Sequence, residues 1–287
     1  MQTNYFEARG VKGEIYAETK LPYYFKEIIE SLPKNAKILD FGCGFGQILN
    51  AIKNHNFAWE SHKMQIAQNG DSKEDNSKVG DSNISDSNIG DSKVGDSKIG
   101  GGKNNIASCD DAKYQLLGID INENALNHCK SLGIEALKID NILDFIPQEK
   151  FDLIITTHCL EHLEKSQVID ILRHFRKHIL GKNGKIFIAV PNAQSATNCY
   201  WAYEDWTHKT LFTAGSLIYV LKMAGFSHIK IIDKDALAGS KGIKRLFKVI
   251  FLKIYKSKIA FWNKITNSAF HAPSPQVFSY EIKALAY

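Results

Sequence analysis

The stretch from residue 36 to residue 49, AKILDFGCGFGQIL, constrains the fold more than any other part of the chain. A short apolar run ends at Asp40, glycines alternate at positions 42, 44 and 46, and apolar residues at helical spacing follow. This pattern predicts a strand, a tight loop and the start of a helix. Glycines let the backbone approach a ligand closely, and a helix N-terminus offers N–H groups to its anionic part. The stretch therefore predicts a ligand cradle.

Strands and helices are predicted to alternate through the rest of the chain. Further strand-like runs lie at 115–119, 134–139, 151–157, 185–190, 228–232 and 276–287, and helix-forming stretches separate most of them. Such alternation is typical of an α/β domain with a mostly parallel sheet and helices on both faces. We therefore interpret residues 1–287 as a single domain.

A low-complexity segment at 62–112 interrupts this domain. Residues 81–100 read DSNIS-DSNIG-DSKVG-DSKIG, four pentads in register, each with a single Ile or Val. Four short polar coils are too few for a β-solenoid, and so little apolar surface cannot build a core. The composition predicts a disordered insert in a connection between a helix and a strand, where long insertions cost little.

Cysteine use and the terminus indicate a cytoplasmic protein. The five cysteines are scattered and include no C-x-x-C pair, as is typical of reduced thiols. The first ten residues, MQTNYFEARG, lack the features of a secretory signal. No uninterrupted apolar run reaches the roughly 18 residues that a membrane span requires.

The D-x-G-x-G-x-G spacing at 40–46 resembles the first motif of class I S-adenosylmethionine (SAM) methyltransferases. The dinucleotide fingerprint would need glycine at 47, where this chain has Gln. The resemblance covers about 36–53 and 114–233, and it implies a Rossmann-like, doubly wound, seven-stranded sheet whose last strand is antiparallel. It also implies SAM as the cofactor. The separation of Gly42 from Asp120 exceeds that of the family, which the insert explains.

Polar residues follow the predicted strands, at the sheet edge where ligands bind. Asp120 is placed to accept hydrogen bonds from both ribose hydroxyls, and Asp140 from the adenine amino group, with Asn141 as a helper. The predicted cofactor-binding residues are Asp40, Gly42, Cys43, Gly44, Gly46, Asp120, Ile121, Asp140, Asn141 and His158. The alternative role for Asp120 is helix capping, and the alternative for Asp140 is a solvated position in a loop.

The turn after the fourth predicted strand bears on the methyl acceptor. It lacks the D/N-P-P-Y/F motif of enzymes that methylate base amino groups, so nucleobase N-methylation is disfavoured. Residues 158–162 read H-x-x-E-H, a zinc-protease pattern that would need a continuous helix. The segment Cys159–Leu163 instead resembles the LEH turn of quinone and small-molecule O-methyltransferases. Those quinone enzymes hold a divalent ion with a carboxylate where this chain has His158, so no metal is predicted.

A second polar turn follows the fifth predicted strand. The pattern D-x-T-H-x-x-x-F-T, from Asp205 to Thr213, resembles methyltransferases of bacterial surface-polysaccharide pathways. Asp205 and His208 are predicted to face the acceptor, and either His162 or His208 to take a hydroxyl proton. A structural His at a helix start is the alternative for His162. Three aromatic residues are candidates for stacking on a sugar or aromatic ring, namely Trp201, Tyr203 and Trp206.

Residues 241–266 form a predicted basic amphipathic helix. From 236 to 264 the chain has eight Lys or Arg and no acid, with apolar residues at helical spacing. Such a helix suits an anionic membrane surface, although a lid packed on the domain or an RNA contact would share the pattern.

The sequence as a whole predicts a SAM-dependent methyltransferase acting on a hydroxyl of a glycan or other small metabolite. The alternatives are an RNA methyltransferase and a SAM-binding regulatory or assembly subunit without turnover.

Overall fold

The computed structural model of the chain describes residues 21, 23–54 and 113–287. The predicted low-complexity insert at 62–112 lies outside these residues and stays a prediction. The two described stretches meet where the chain returns at Lys113. There the Lys113 carbonyl accepts a hydrogen bond from the Asn35 N–H (2.9 Å), and the Tyr114 hydroxyl donates to the Ile29 carbonyl (2.9 Å).

Seven strands form one sheet in the order β3-β2-β1-β4-β5-β7-β6. β7 runs antiparallel to both of its neighbours, and the pairings from β3 through β5 are parallel. The fold class predicted from the sequence is therefore confirmed. The strands are β1 (Ala36–Phe41), β2 (Tyr114–Asp120), β3 (Glu135–Lys138), β4 (Phe151–Thr157), β5 (Leu180–Pro191), β6 (Ile229–Ile232) and β7 (Glu281–Ala286).

Helices connect the strands, and local sequence fixes where several of them begin. Asn122 accepts from the Ala125 N–H, and Thr213 forms a capping box with Ser216. The helices are α1 (Tyr23–Glu30), α2 (47–54), α3 (Glu123–Ser131), α4 (Lys165–His174), α5 (Trp201–Glu204), α6 (Ala214–Met223) and α7 (Gly242–Ile265).

Apolar layers cover both faces of the sheet. Because successive side chains of a strand point to opposite faces, Ile38 packs in one layer and Leu39 in the other. The central strands are buried on both sides and therefore read as continuous apolar runs. This rigid double layer fixes the strand ends, where the predicted site residues lie.

The connection from α4 to β5 differs from the sequence prediction. The sequence predicts a strand at 185–190, but α4 ends at His174, a π-helical turn spans Phe175–Ile179, and the strand starts earlier. β5 then begins at Leu180, and its pairing with β4 jumps from Phe151↔Leu180 to Leu153↔Lys185. Residues 181–184 thus form a bulge within the strand. The functional edge of β5 is unaffected.

Candidate functional site

The glycine loop after β1 has a backbone that only glycine adopts readily. Gly42, Gly44 and Gly46 have φ angles of 77°, 51° and 76°. A Cβ atom on Gly42 would lie 2.6 Å from Sγ of Cys159, and one on Gly46 would lie 2.8 Å from Sγ of Cys129. The loop is therefore held between the turn after β4 and helix α3, with its backbone closely packed at both ends.

Asp120 ties this loop to the end of β2. Its carboxylate accepts hydrogen bonds from the Gly44 N–H (2.9 Å) and the Asn122 N–H (2.8 Å). Each carboxylate oxygen retains a second lone pair, so Asp120 can also accept from a ribose hydroxyl. Asn122, as expected, caps α3 in its place.

Asp40 lies beneath the loop and is 1% exposed. Burial, followed by the charge of Asp120, raises the pKa of the Asp40 carboxyl to about 8. Within the described residues its Oδ1 atom has no hydrogen-bond partner. A buried polar atom without a partner is costly, and a polar ligand group in the loop would satisfy it.

The remaining predicted cofactor residues are at the same edge but differ in exposure. Ile121 is 69% exposed, and Asp140 is exposed beyond the end of β3. The Asn141 side chain accepts from the Leu143 N–H, so it also caps the short turn that follows. The thiol of Cys43 is buried against Gly118, which leaves only the Cys43 backbone for a ligand.

A cavity of about 410 Å³ lies at the carboxyl ends of β4 and β5 and at the start of β7. Three segments that are distant in sequence contribute its walls, and the backbone joins two of them. The Glu161 carbonyl accepts from the N–H groups of Lys209 and Thr210 (2.8 and 3.0 Å). The residues lining the cavity are His158, His162, Pro191, Trp201, Asp205, His208, Tyr280 and Glu281.

His162 is held in one tautomer by a short relay. The Thr207 hydroxyl donates to Oδ1 of Asp205 (2.7 Å) and lies 2.8 Å from Nδ1 of His162. Because a hydroxyl has one proton and gives it to the carboxylate, Nδ1 of His162 must donate to Thr207. The lone pair of His162 is therefore on Nε2. Burial lowers the pKa of His162, as does His208, and this favours the neutral imidazole.

His208 is fixed in the same tautomer by the backbone. Its Nδ1 lies 2.7 Å from the Trp201 carbonyl, which can only accept, so Nδ1 carries the proton. Its Nε2 lies 3.6 Å from Oδ2 of Asp205 and 3.9 Å from Oε1 of Glu161. The rings of His162 and His208 meet edge to face, 4.7 Å apart. The two imidazoles are thus brought together at the cavity.

His158 is an imidazolium held between two carboxylates. Its Nε2 lies 2.7 Å from Glu281 and its Nδ1 lies 3.3 Å from Glu161. Burial lowers the pKa of His158, but the two carboxylates outweigh burial and raise it to about 10. The pKa of Glu281 falls to about 2, because His158 and Lys283 outweigh the effect of its burial.

Comparisons with known proteins show which family the chain belongs to. A family model described as "Methyltransferase domain" matches residues 15–231. The chain belongs to the methyltransferase domain family. Its cofactor is accordingly SAM, as the glycine loop and Asp120 predicted. The membership confirms a class I methyltransferase, whereas the predicted O-methyltransferase subgroup stays a prediction.

Solved structures share the fold of this methyltransferase. A SAM-dependent methyltransferase from Archaeoglobus fulgidus aligns with a TM-score of 0.54 at 17% identity, over 98% of this chain and 97% of its own. A chain from the complex of the Haloferax volcanii Trm112 methyltransferase activator with its methyltransferase partner has a TM-score of 0.52 at 10% identity, over 100% and 96%. A comparison with curated proteins found no match.

One group of side chains in the methyltransferase cavity has the geometry of a metal site. The ligand atoms of Glu161, His162 and His208 lie within 4.8 Å of one another, and we call these residues the acid–imidazole cluster. Glu161 is 0% exposed, and neither of its carboxylate oxygens makes a well-directed hydrogen bond within the described residues. Two imidazoles and a carboxylate can hold a divalent ion such as Zn²⁺. The zinc-protease interpretation fails, because His158 has a left-handed backbone (φ 51°) and no helix spans 158–162.

Several sequence assignments in the cavity need correction or addition. Trp201 lines the cavity, whereas Tyr203 and Trp206 are 81% and 92% exposed and are not among its lining residues, so their stacking role stays a prediction. His162 ends a 3₁₀ turn, and Glu164 is the N-cap of α4, so His162 does not cap that helix. Glu281 was missed, although it is an acid in the apolar alternation of the last strand.

Proposed function

We propose that this methyltransferase transfers the methyl group of SAM to a hydroxyl of a glycan or other small metabolite, with His162 as the general base. The observation that supports this most is the relay from Asp205 through Thr207 to Nδ1 of His162. It holds a neutral imidazole with its lone pair directed through Nε2, which is the state that accepts a proton. The lowered pKa of His162 favours the same state at neutral pH.

Methyl transfer from SAM requires few other catalytic groups from the protein. Bound SAM would supply an activated methyl group and a good leaving group, so alignment of the acceptor accounts for much of the acceleration. As the acceptor oxygen forms its bond to the methyl carbon and the sulfur–carbon bond breaks, the hydroxyl proton passes to Nε2 of His162. Gly42, Gly44, Gly46 and Asp120 would hold the cofactor beside the cavity.

The walls of the cavity favour a small polyhydroxylated acceptor. Trp201 and Tyr280 provide aromatic surface on which a sugar or aromatic ring can stack. Asp205 and Glu281 provide carboxylates that accept hydrogen bonds from hydroxyl groups. A volume of about 410 Å³ is in the range of small-molecule sites.

The test combines substitutions with methyl-labelled SAM and fractionated cell extract as the acceptor source. We expect His162→Ala to slow label transfer by about 10²–10⁴-fold, because a positioned base contributes that much. SAM binding measured by calorimetry should be unchanged. His178→Ala is the matched control, since His178 is exposed and outside the cavity.

His208→Ala completes this experiment. If His208→Ala is as slow as His162→Ala, the two imidazoles act together. If neither variant slows transfer while SAM binds normally, the base assignment is wrong, and the alternative of a SAM-binding subunit without turnover is favoured. If only RNA-containing fractions take up label, the acceptor class is wrong and the RNA methyltransferase alternative replaces it.

A second candidate mechanism rests on the acid–imidazole cluster. A divalent ion held by Glu161, His162 and His208 would polarise the acceptor hydroxyl and lower its pKa. In that mechanism His162 is a ligand and cannot also accept the proton. The two mechanisms therefore make opposite predictions for the effect of removing metal ions on turnover.

A further inference from the structure

Helix α7 carries a large apolar surface that the rest of the fold leaves exposed. None of its 24 residues is buried. Six large apolar side chains recur at helical spacing with exposed fractions of 44–72%, namely Ile243, Phe247, Ile250, Ile254, Phe261 and Ile265. An apolar stripe of this length on the surface of a soluble fold marks an interaction site. The lid alternative, in which this stripe is buried on the domain, is wrong for this conformation.

The contacts of α7 with the domain come from the opposite side of the helix. Arg245 and Lys248 donate to the carbonyls of Leu237 and Ala236 (both 3.2 Å). The half-buried positions also recur at helical spacing on that side, at 249, 252, 256, 259 and 263. The helix is therefore fixed with its apolar stripe directed away from the domain.

Lys256 joins the helix to two segments, one after β6 and one before β7. Lys256 pairs with Asp235 (2.8 Å), and its Nζ lies 4.6 Å from the ring centroid of Phe278. Phe278 precedes two residues of the cavity wall, Tyr280 and Glu281. Helix α7 is thus docked on the same short segment that supplies part of the candidate site.

The charges of α7 indicate which partner the stripe suits. The helix contains seven Lys or Arg and no acid. On a helical wheel, Lys244 and Lys258 flank one border of the apolar stripe, and Lys253 and Lys264 flank the other. Within the described part of the chain these four lysines form no ion pair. Long lysine stems can follow apolar surface while their ammonium groups reach the lipid phosphates.

We propose that α7 is a docking surface for an anionic membrane, lying in the plane of the headgroups with its apolar stripe inserted. Within residues 21, 23–54 and 113–287 no helix is both long and apolar enough to cross a bilayer, so the contact is with one leaflet. Apolar insertion and attraction to anionic lipid act together in such helices. A second copy of the chain would match the apolar stripe but would bring two sets of lysines together. RNA would match the lysines but leave the stripe unused.

The test is flotation of the full chain with vesicles of phosphatidylcholine and phosphatidylglycerol at 3:1, and with pure phosphatidylcholine. We expect Phe247→Ser/Ile254→Ser/Phe261→Ser to lower the partition coefficient more than tenfold. Replacing Lys244, Lys253 and Lys258 by Gln should lower it by about 100-fold on anionic vesicles, with little change on neutral ones. All six side chains are exposed, so we expect both variants to fold, as circular dichroism would verify.

A matched control carries the same apolar-to-Ser changes elsewhere on the surface, at Leu143, Ile146 and Tyr219, which are 41%, 65% and 59% exposed. It should float like the wild type. Trp262 is 53% exposed on α7, so vesicles should shift its emission to the blue, and Trp262→Phe should lose that shift.

Three results would overturn the proposal. The first is equal flotation of the wild type and the apolar variant. The second is a concentration-dependent dimer, measured by sedimentation, that the apolar variant abolishes while the wild type ignores vesicles. The third is RNA binding that depends on the three lysines and not on the apolar stripe.

Discussion

The sharpest prediction concerns the charge of Glu281, because it can be measured without knowing the acceptor. Replacement of Glu281 by Gln keeps the shape and an oxygen that can accept from Nε2 of His158. It removes the negative charge that helps to keep His158 protonated. Glu161 remains on the other side of the ring, at 3.3 Å, so the imidazolium keeps one of its two partners.

The expected magnitude follows from the pKa of His158, which rises from 6.5 to about 10 in the folded chain. At 1.4 kcal/mol per pKa unit, this difference would correspond to roughly 5 kcal/mol of stability if His158 and its carboxylates were fully shielded from solvent. The His158 side chain is 48% exposed, however, so solvent screens the interaction. Glu281 supplies only part of the screened interaction energy, because Glu161 also faces His158. We therefore expect Glu281→Gln to lower the free energy of unfolding by about 1–2 kcal/mol.

The sign of the pH dependence follows from the direction of each pKa change. The pKa of His158 is raised, so its contribution to stability is full below pH 6.5 and is lost as the pH rises through 10. The pKa of Glu281 is lowered, so its contribution is full above pH 4.5 and is lost as the pH falls through 2. The deficit of Glu281→Gln should therefore be largest between pH 4.5 and 6.5 and shrink towards pH 10.

Urea unfolding of both proteins at pH 6, 8 and 9.5 measures this deficit. Glu164→Gln is the matched control, because Glu164 pairs with Lys209 (2.8 Å) and both side chains are at least half exposed. Such a pair contributes about 0–1 kcal/mol, and its removal should show no trend over this range. A deficit for Glu281→Gln that is the same at pH 6 and pH 9.5, or no larger than that of the control, would refute the assigned imidazolium.

Two other predictions test the loop and the mechanism. Gly42→Ala and Gly225→Ala both place Ala in a left-handed backbone, which lowers the free energy of unfolding by about 1–2 kcal/mol each. The two variants differ in steric contact, because a Cβ at 42 would lie 2.6 Å from Sγ of Cys159, whereas a Cβ at 225 would meet no atom within 4 Å. Calorimetry should therefore show at least tenfold weaker SAM binding for Gly42→Ala alone, and equal binding by the two variants would contradict the loop assignment. If His162 is the base, dialysis against EDTA should leave turnover unchanged and added Zn²⁺ should inhibit by occupying the acid–imidazole cluster. Turnover that EDTA abolishes and one divalent ion restores would establish the metal mechanism instead.

The strands were predictable because their residues carry a strong local signal. Residues 36–39 and 151–157 are apolar on both faces, which indicates a buried parallel strand. The start of α3 was also predictable, since Asn122 is a strong capping residue. The bulge at 181–184 was not, because Gly-Lys-Asn-Gly also suits a turn, and the choice depends on the close approach of Gly184 to the Phe151 carbonyl.

The candidate site was only partly predictable for a different reason. Asp40 and the glycine loop form a contiguous local motif, and Asp120 and Asp140 each close a predicted strand, so their positions were informative. Tyr280 and Glu281 enter the cavity because β7 pairs with β5, and pairing between strands about 90 residues apart leaves no local signal. The alternation of Glu281 and Lys283 in an apolar strand did hint at one polar face. The exposure of Tyr203 and Trp206 was not predictable, because the sequence does not tell which of the aromatic residues at 201–206 line the cavity.

The topology explains how this chain tolerates a long segment between two parts of one site. The described residues stop at 54 and resume at Lys113, immediately before the amino end of β2. The predicted and observed site residues lie at or beyond the carboxyl ends of the parallel strands, or at the start of the antiparallel β7. An insertion in that connection therefore changes neither the strand order nor the position of Asp120, whose register is fixed by the pairing of Asp40 with Gly118. The site depends on strand pairing, and loop length between β1 and β2 is free to vary.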